Sequence, residues 1–315
     1  MTHRISVRPI AVFLAVSFGL AWLVALPLWL SGEGLATPGA TIYLVAMMFT
    51  PAIAALVAHR VDRAGRFVDA TTLKPRTPFN RWLGYAGIAW LAPIAVTLLA
   101  ILVSAAFGFY RFDLVEFSGA EKVITELAGT TDIGMPIAML VMIQLVSMFV
   151  SPALNVIPAM GEELGWRGFL QTRLLPLGQW PAVIITGVVW GLWHAPVILL
   201  GYNYPGQHPV VALLLMVVFC VLMSVLLGWI TIASGTVWTA AIAHGFVNGV
   251  ASMGVLLGSA DPTDSALVGL LGVSGWIVMA VLIAVLVLLR RFPVRDTAEQ
   301  ADAAVEAAEE PATAS

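Results

Sequence analysis

Long apolar runs alternate with short polar segments along most of this chain. A run of about 20 apolar residues is long enough to cross a bilayer as one α-helix. The pattern predicts spans at about residues 10–30, 40–58, 82–107, 153–174, 181–200, 209–232, 237–257 and 266–289. The predicted fold is therefore all-α: a polytopic transmembrane helical bundle of about eight spans.

One apolar stretch, residues 134–175, is about twice as long as a single crossing requires. A helix of that length has to bend or break. Pro152 and Pro158 are the expected positions, because proline lacks a backbone N–H and clashes with the preceding helical turn. The second part of the stretch, about residues 153–174, is counted as the crossing helix.

The basic residues indicate how the spans are oriented. The N-terminus, the loop 59–81, the segment at Arg173 and residues 290–295 are all basic. Basic segments stay in the cytoplasm, which requires an even number of spans between them and predicts both termini inside. The predicted regions are a cytoplasmic N-terminus (1–9), three spans with their loops (10–133), a core (134–290) and an acidic, disordered cytoplasmic tail (291–315).

The composition fits a multi-pass membrane protein, with 60% hydrophobic and 10% charged residues. A net charge of −3 without a basic stripe excludes a nucleic-acid partner, and the expected partner is the lipid bilayer. Arginine outnumbers lysine 13 to 2, and alanine, valine and glycine are abundant, a bias typical of a GC-rich bacterial genome. The expected location is the bacterial cytoplasmic (inner) membrane.

Two adjacent carboxylates, Glu162 and Glu163, lie within the crossing helix at 153–174. A carboxylate at membrane depth costs about 2.5–3.5 kcal/mol even on lenient insertion scales, so this pair needs a reason. Arg167 follows Glu163 by four residues and lies on the same helix face. Glu162 points elsewhere and has no local cation. The spacing therefore predicts that Glu163 is neutralised within its helix and that Glu162 is free for chemistry.

Two of the five histidines, His194 and His244, fall inside predicted spans. Each belongs to a pair four residues apart, Trp190 with His194 and His244 with Asn248. At 1.5 Å per residue, Glu162, His194 and His244 lie roughly 16, 21 and 14 Å from the cytoplasmic ends of their helices. Three spans thus bring polar groups to a similar depth, which predicts a shared buried polar cavity.

Hydrolysis is the chemistry that suits this set. Glu162 can take a proton from water and return it to a leaving amine, and His194 can orient that water. His244 and Asn248 can donate hydrogen bonds to an oxyanion. A zinc ion held by Glu162, His194 and His244 is the alternative, although no His-Glu-x-x-His helix is present.

Three motifs occur in order on separate predicted helices: Glu162-Glu163-x-x-x-Arg167, Trp190-x-x-x-His194 and His244-x-x-x-Asn248. Together they resemble the signature of the CAAX-protease and bacteriocin-processing family, also called the Abi family, whose intramembrane endopeptidases include the Rce1-type enzymes. The resemblance covers about residues 153–251. This chain departs from the family pattern at Trp190, where the family usually has phenylalanine. Both are large aromatic residues that can pack under His194, so Trp190 is counted as a supporting residue.

The resemblance implies that Glu162, His194, His244 and Asn248 form the catalytic site, and that Glu163 and Arg167 support it. It favours a mechanism without metal, and hence no cofactor. The implied substrate is a peptide or membrane protein cleaved near its terminus, and the family name implies a prenylated CAAX C-terminus. In a bacterium, an unprenylated peptide or a membrane-protein terminus is the favoured substrate.

Two further functions are compatible with buried Glu and His residues. One is a proton-coupled transporter, which the lack of a clear inverted repeat disfavours. The other is a non-catalytic immunity or interaction protein, which the complete polar set disfavours.

Overall fold

The computed structural model describes residues 5–62, 65–150 and 152–294. In these residues the regular secondary structure is helical and no β-strand is present. A single isolated β-bridge, Phe112 with Gly258, joins two loops of the described chain. The prediction of an all-α protein is confirmed.

In chain order, the α-helices are α1 (Val7–Leu30), α2 (Ala40–Met48), α3 (Thr50–Asp62), α4 (Phe67–Ala70), α5 (Phe79–Ala106), α6 (Ser118–Ala128), α7 (Ile137–Ser147), α8 (Pro152–Glu163), α9 (Thr172–Leu174), α10 (Gln179–Trp193), α11 (Ala195–Ile198), α12 (Pro209–Ser234), α13 (Trp238–Gly249), α14 (Met253–Leu257) and α15 (Val273–Leu288). A π-helical segment, Leu164–Gln171, joins α8 to α9. Short 3-10 turns occur at Gly34–Ala36 and Leu175–Leu177.

Five helical segments of the described chain are long and apolar enough to cross a membrane. They are Val7–Leu30, Ala40–Asp62, Phe79–Ala106, Pro209–Ser234 and Trp238–Leu257. The second comprises α2 and α3, and the last comprises α13 and α14. All five coincide with predicted spans. Large apolar side chains on these segments, such as Leu23 and Leu214, point outward, as expected for helices that face lipid.

The other three predicted spans are shorter or interrupted. The span predicted at 266–289 begins only at Val273, because turns occupy residues 265–272. The span predicted at 181–200 is divided into α10 and α11, and the one at 153–174 changes from α to π to α geometry.

The long apolar stretch 134–175 breaks between α7 and α8, where α7 ends at Ser147 and α8 begins at Pro152. This confirms the break expected near Pro152. Pro158 lies inside α8, which continues through it, so the chain does not break at this second expected position. Proline removes one backbone donor, and the rest of the helix maintains its hydrogen bonds around that gap.

Glycines bring the central helices into close contact. A Cβ placed on Gly191 of α10 would lie 2.6 Å from Cα of Val217 in α12, and one on Gly245 of α13 would lie 2.9 Å from the backbone N of Val156 in α8. Small residues at such positions allow helix backbones to approach closely in a membrane. The helices α8, α10, α12 and α13 are therefore packed backbone to backbone.

The loops form hydrogen bonds at two opposite ends of the bundle. At one end Thr77 donates to the carbonyl of Ser234 at 2.6 Å, and Arg173 forms a 2.7 Å ion pair with Asp62. At the other end the backbone N–H of Asp113 donates to the carbonyl of Leu257 at 3.0 Å.

The described chain ends against the first of these two groups of loops. The Gln179 side chain donates to the carbonyl of Val294 at 2.7 Å, and Phe292 is buried edge-on against Trp180. Residues 291–294 of the predicted tail are thus ordered, because Phe292 is apolar and fits between helices. The remainder of that tail, 295–315, and residues 1–4 of the predicted N-terminal region lie outside the described residues.

Candidate active site

The two adjacent carboxylates lie at the end of α8, where the chain enters the π-helical segment. Both are buried, with 2% of Glu162 and none of Glu163 exposed. A π segment inside a helix is uncommon and often marks a functional site. In this chain it begins at Leu164 and includes Arg167.

Glu163 is held by two partners. Arg167 Nη1 donates to its Oε1 at 2.8 Å, and Nδ1 of His244 lies 2.8 Å from the same oxygen. The predicted contact between Glu163 and Arg167 is therefore present in spite of the π geometry. The contact to His244 joins α8 to α13.

Glu162 points to a different helix. Its Oε2 accepts a 2.7 Å hydrogen bond from the indole N–H of Trp190 in α10. Among the described residues, no cation forms an ion pair with Glu162. The two carboxylates are thus separated, as the helix spacing predicted, into one that is paired with charge and one that is bound by a neutral donor.

His194 immediately follows α10, which ends at Trp193. Its Nδ1 lies 2.8 Å from the carbonyl oxygen of Trp190, one turn earlier. A carbonyl can only accept, so Nδ1 carries the proton and Nε2 of the neutral ring presents a lone pair. The Trp193 indole packs edge-on against the His194 ring with centroids 4.9 Å apart. His194 is 9% exposed, so the ring has a fixed orientation at the margin of the buried region.

His244 contacts both Glu163 and Trp190, the residue that binds Glu162. Its Nδ1 is used by Glu163, and its ring packs edge-on against Trp190 with centroids 5.3 Å apart. The ring is 6% exposed. Because Glu163 fixes Nδ1, Nε2 is the nitrogen left for a ligand.

Asn248 is the one predicted site residue that the structure does not bring into the buried network. It lies one turn after His244 on α13 and is exposed, and no hydrogen bond of its side chain occurs within the described residues. The helix ends at Gly249, so Asn248 lies at the end of α13.

Trp190 is the residue whose role the sequence did not reveal. The spacing placed it beneath His194 as a packing partner, whereas the structure also uses its indole N–H to bind Glu162. Its ring in addition faces the guanidinium of Arg167, with Cζ 4.4 Å from the ring centroid. The available signal was the replacement of the family's usual phenylalanine by the aromatic residue that has an N–H donor.

The arrangement does not fit a zinc ion held by Glu162, His194 and His244. No group of three or more His, Cys, Asp or Glu side chains that could hold a metal occurs among the residues that the structure describes. Both histidines are hydrogen-bonded at Nδ1, to Trp190 and Glu163, so Nε2 is the nitrogen of each ring that remains for a ligand.

The motif residues thus form a buried Glu–Trp–His cluster within an apolar helical bundle. Residues 143–250 match the family model described as type II CAAX prenyl endopeptidase Rce1-like. The matched segment contains all three motifs and confirms the resemblance that they carry. Because this is a family of endopeptidases, the predicted class of enzyme, a peptidase, is also confirmed. A search of curated proteins found no match.

Proposed function

We propose that this protein is an intramembrane endopeptidase that hydrolyses a peptide bond near the terminus of a membrane-associated protein or peptide. The observation that carries this proposal is the pair of adjacent buried carboxylates, of which Glu163 is neutralised by Arg167 while Glu162 is bound only by a neutral indole. A buried carboxylate without a cation can exchange a proton with water.

In the proposed reaction Glu162 is the general base. Glu162 removes a proton from a water molecule, and the resulting hydroxide forms a bond to the carbonyl carbon of the substrate. His194 orients the same water through the lone pair on Nε2. When the tetrahedral intermediate collapses, the C–N bond breaks and Glu162 returns the proton to the leaving amine. Each atom is accounted for without a metal or an organic cofactor.

His244 and Asn248 are proposed to stabilise the oxyanion. In its imidazolium form His244 donates from Nδ1 to Glu163 and from Nε2 to the developing negative charge, and the carboxylate of Glu163 provides the counter-charge. The amide of Asn248 has two donor hydrogens, and its exposure leaves them available to a bound substrate.

The bundle is proposed to cross the membrane eight times with both termini in the cytoplasm. The grouping of the loops supports this topology. Loops predicted to be cytoplasmic, such as those at Thr77 and Ser234, contact one another. Loops predicted to be external, such as those at Asp113 and Leu257, do the same at the other end. The site would open toward the cytoplasmic side of a bacterial inner membrane.

Residues 134–290 are proposed to form the protease core, and residues 10–133 to support it. One contact that supports this division is made by α1, where Phe13 stacks on Phe169 and packs edge-on against Trp166. These two aromatic residues lie in the π segment that follows Glu163. The first span would thus stabilise the segment that carries the carboxylates.

A cleavage assay tests the proposed function. Wild type and Glu162→Ala, purified in detergent, are incubated with CAAX-terminated peptides, prenylated and unprenylated, and the products are identified by mass spectrometry. We expect cleavage by wild type alone. Equal turnover by both proteins contradicts the mechanism, and proton uptake coupled to solute transport without cleavage indicates a transporter.

The same assay tests whether cleavage requires a metal ion. Wild type is treated with a chelator and then supplied with zinc or cobalt. Turnover that stays constant through the series is expected, whereas loss and recovery of turnover would support the zinc alternative.

A further inference from the structure

The indole of Trp190 joins two of the three motif helices at the carboxylate. Its N–H, on α10, donates to Oε2 of Glu162, on α8, at 2.7 Å. Only 2% of Trp190 is exposed, so water does not compete for this hydrogen bond. The hydrogen bond therefore fixes one of the two carboxylate oxygens in place.

Contacts of the Trp190 ring with Arg167 and His244 hold the indole in position. The Arg167 guanidinium carbon lies 4.4 Å from the ring centroid, and the His244 ring packs edge-on at 5.3 Å. A cation over an indole face and an edge-on aromatic contact both depend on ring orientation. Arg167 is held in turn by Glu163. The supporting ion pair thus sets the angle of the indole, and the indole sets the angle of Glu162.

The chemistry of an indole limits what Trp190 can do. Indole N–H is a donor only, with no accepting atom, so it cannot relay a proton to or from Glu162. It is also neutral and, unlike an arginine, does not pair the carboxylate with a charge. The contact can therefore orient the carboxylate while leaving its proton exchange to water.

The backbone of Trp190 holds His194, the second residue of the proposed site. Its carbonyl oxygen accepts from Nδ1 of His194 at 2.8 Å, a bond that every residue type at this position retains. A change of the Trp190 side chain thus removes the contact to Glu162 and leaves the contact to His194 in place. This separation makes the role of the indole testable.

We propose that Trp190 is a positioning residue, whose indole N–H sets the orientation of the Glu162 carboxylate relative to His194. The proposal rests on the proposed function of Glu162 as the general base. Phenylalanine has an aromatic ring but no N–H, so it cannot donate this hydrogen bond. The proposed positioning role therefore depends on the tryptophan of this chain.

Two changes at Trp190 test the proposal. Trp190→Phe removes the indole. Replacement by benzothienylalanine keeps the size and ring face of the indole, but sulfur takes the place of the N–H. The matched control is Trp276→Phe, because the Trp276 N–H is buried without a hydrogen-bond partner among the described residues. Cleavage of the same peptide, thermal unfolding and the pH dependence of kcat are measured for each protein.

We expect both Trp190 variants to lose kcat by about tenfold to a hundredfold with KM nearly unchanged, the loss that a misplacement of about 1 Å produces. The pH at which kcat is half-maximal should move in both variants, because the hydrogen bond acts on the titrating group itself. Trp276→Phe should match wild type in all three measurements.

Three results would overturn the proposal. Wild-type kcat in both variants would show that the N–H is not needed. Wild-type kcat in the sulfur isostere alone would show that only ring shape matters, and this variant decides the question if Trp190→Phe fails to fold. Loss of kcat with an unmoved pH dependence would indicate general structural damage. Failure of the proposed function is recognised separately, by equal turnover in wild type and Glu162→Ala.

Discussion

Glu162 and Glu163 are neighbouring residues of one type that the surrounding helices hold in different electrostatic environments. Consecutive helical residues point about 100° apart, so each side chain meets a different helix. Glu163 meets Arg167 and His244, whereas Glu162 meets an indole. This division is the basis for the chemical role proposed for Glu162 and the structural role proposed for Glu163.

The structural role of Glu163 leads to a prediction at the residue scale. Glu163→Gln leaves the fully buried Arg167 without a counter-charge, and breaking a buried pair in this way destabilises proteins by about 3–5 kcal/mol. We expect a markedly lower unfolding temperature in detergent. The double variant Glu163→Gln with Arg167→Met should recover part of that loss, because no buried charge remains unpaired.

The control for this experiment is Glu33→Gln, at an exposed position that takes part in none of the ion pairs within the described chain. It should unfold as wild type does. An unchanged unfolding temperature in Glu163→Gln itself would contradict the structural role.

At the scale of elements, the motif helix depends on close contact with the second span. A Cβ placed on Gly161 would lie 2.8 Å from the carbonyl oxygen of Met48, and one on Gly165 would overlap both the side chain and the backbone of Pro51. The junction between α2 and α3 thus packs directly on the turn that carries the carboxylates. Glycine is required at both positions because no larger residue fits.

Gly165→Ala should therefore destabilise the protein, by about 1–3 kcal/mol or more if the helices cannot separate. Gly87→Ala, in the middle of α5, provides the matched control, because nothing lies within 4 Å of the added methyl group. Alanine is favoured over glycine in a helix interior by about 0.5–1 kcal/mol, so this control should be as stable as wild type or more so. Equal stability of the two variants would contradict the close packing.

The loop before α6 contains a second testable feature, the carboxylate of Asp113. Its Oδ2 accepts from the hydroxyl and the backbone N–H of Ser118, at 2.6 and 3.0 Å, and Oδ1 accepts from the N–H of Glu116 at 3.0 Å. These hydrogen bonds, led by that from the Ser118 hydroxyl, hold the pKa of Asp113 well below its usual range.

A carboxyl group whose pKa is lowered by folding stabilises the folded state above its unfolded pKa of about 3.9 and loses that contribution as the pH falls toward its folded pKa. Asp113→Asn should therefore lower the unfolding temperature at neutral pH, and the difference from wild type should narrow below about pH 4. Asp132→Asn, at an exposed residue with one weak backbone contact of 3.3 Å, should show neither effect. If the unfolding temperatures of wild type and Asp113→Asn differ by the same amount at every pH, this account is contradicted.

At the scale of the whole molecule, the loops at the two ends of the bundle define the proposed topology. The native Cys220 is buried and is the only cysteine, so it gives little background in labelling experiments. Lys74→Cys and Thr263→Cys place thiols at exposed positions of opposite ends. With a membrane-impermeant maleimide, Lys74→Cys should react only in inside-out vesicles and Thr263→Cys only in intact cells. Reaction of both from one side would contradict an odd number of crossings between them.

The long spans were predictable from sequence because lipid requires a continuous apolar run. The shorter helices were not, because their ends depend on tertiary contacts. The segment that follows Glu163 adopts π geometry where Trp166 and Phe169 pack against Phe13 of α1, far away in sequence. The hydropathy pattern of the sequence contains no information about such a long-range contact.

The site was predictable where its contacts are local. The pair Glu163–Arg167 follows from helical spacing, whereas the bond between Trp190 and Glu162 joins residues 28 positions apart on separate helices. The bond between His244 and Glu163 spans 81 positions. Spacing predicted a common depth for these residues, but only packing determines which atoms meet.

The role of Glu162 as the general base is tested most directly by comparing wild type with Glu162→Gln in peptide cleavage, with thermal unfolding as the measure of folding. The glutamine amide oxygen can still accept from Trp190, so the fold should persist while the base is lost. We predict an unchanged unfolding temperature and a fall in kcat of about 10²- to 10⁴-fold, the range contributed by general acid–base catalysis. Cleavage by folded Glu162→Gln at the wild-type rate would contradict the account.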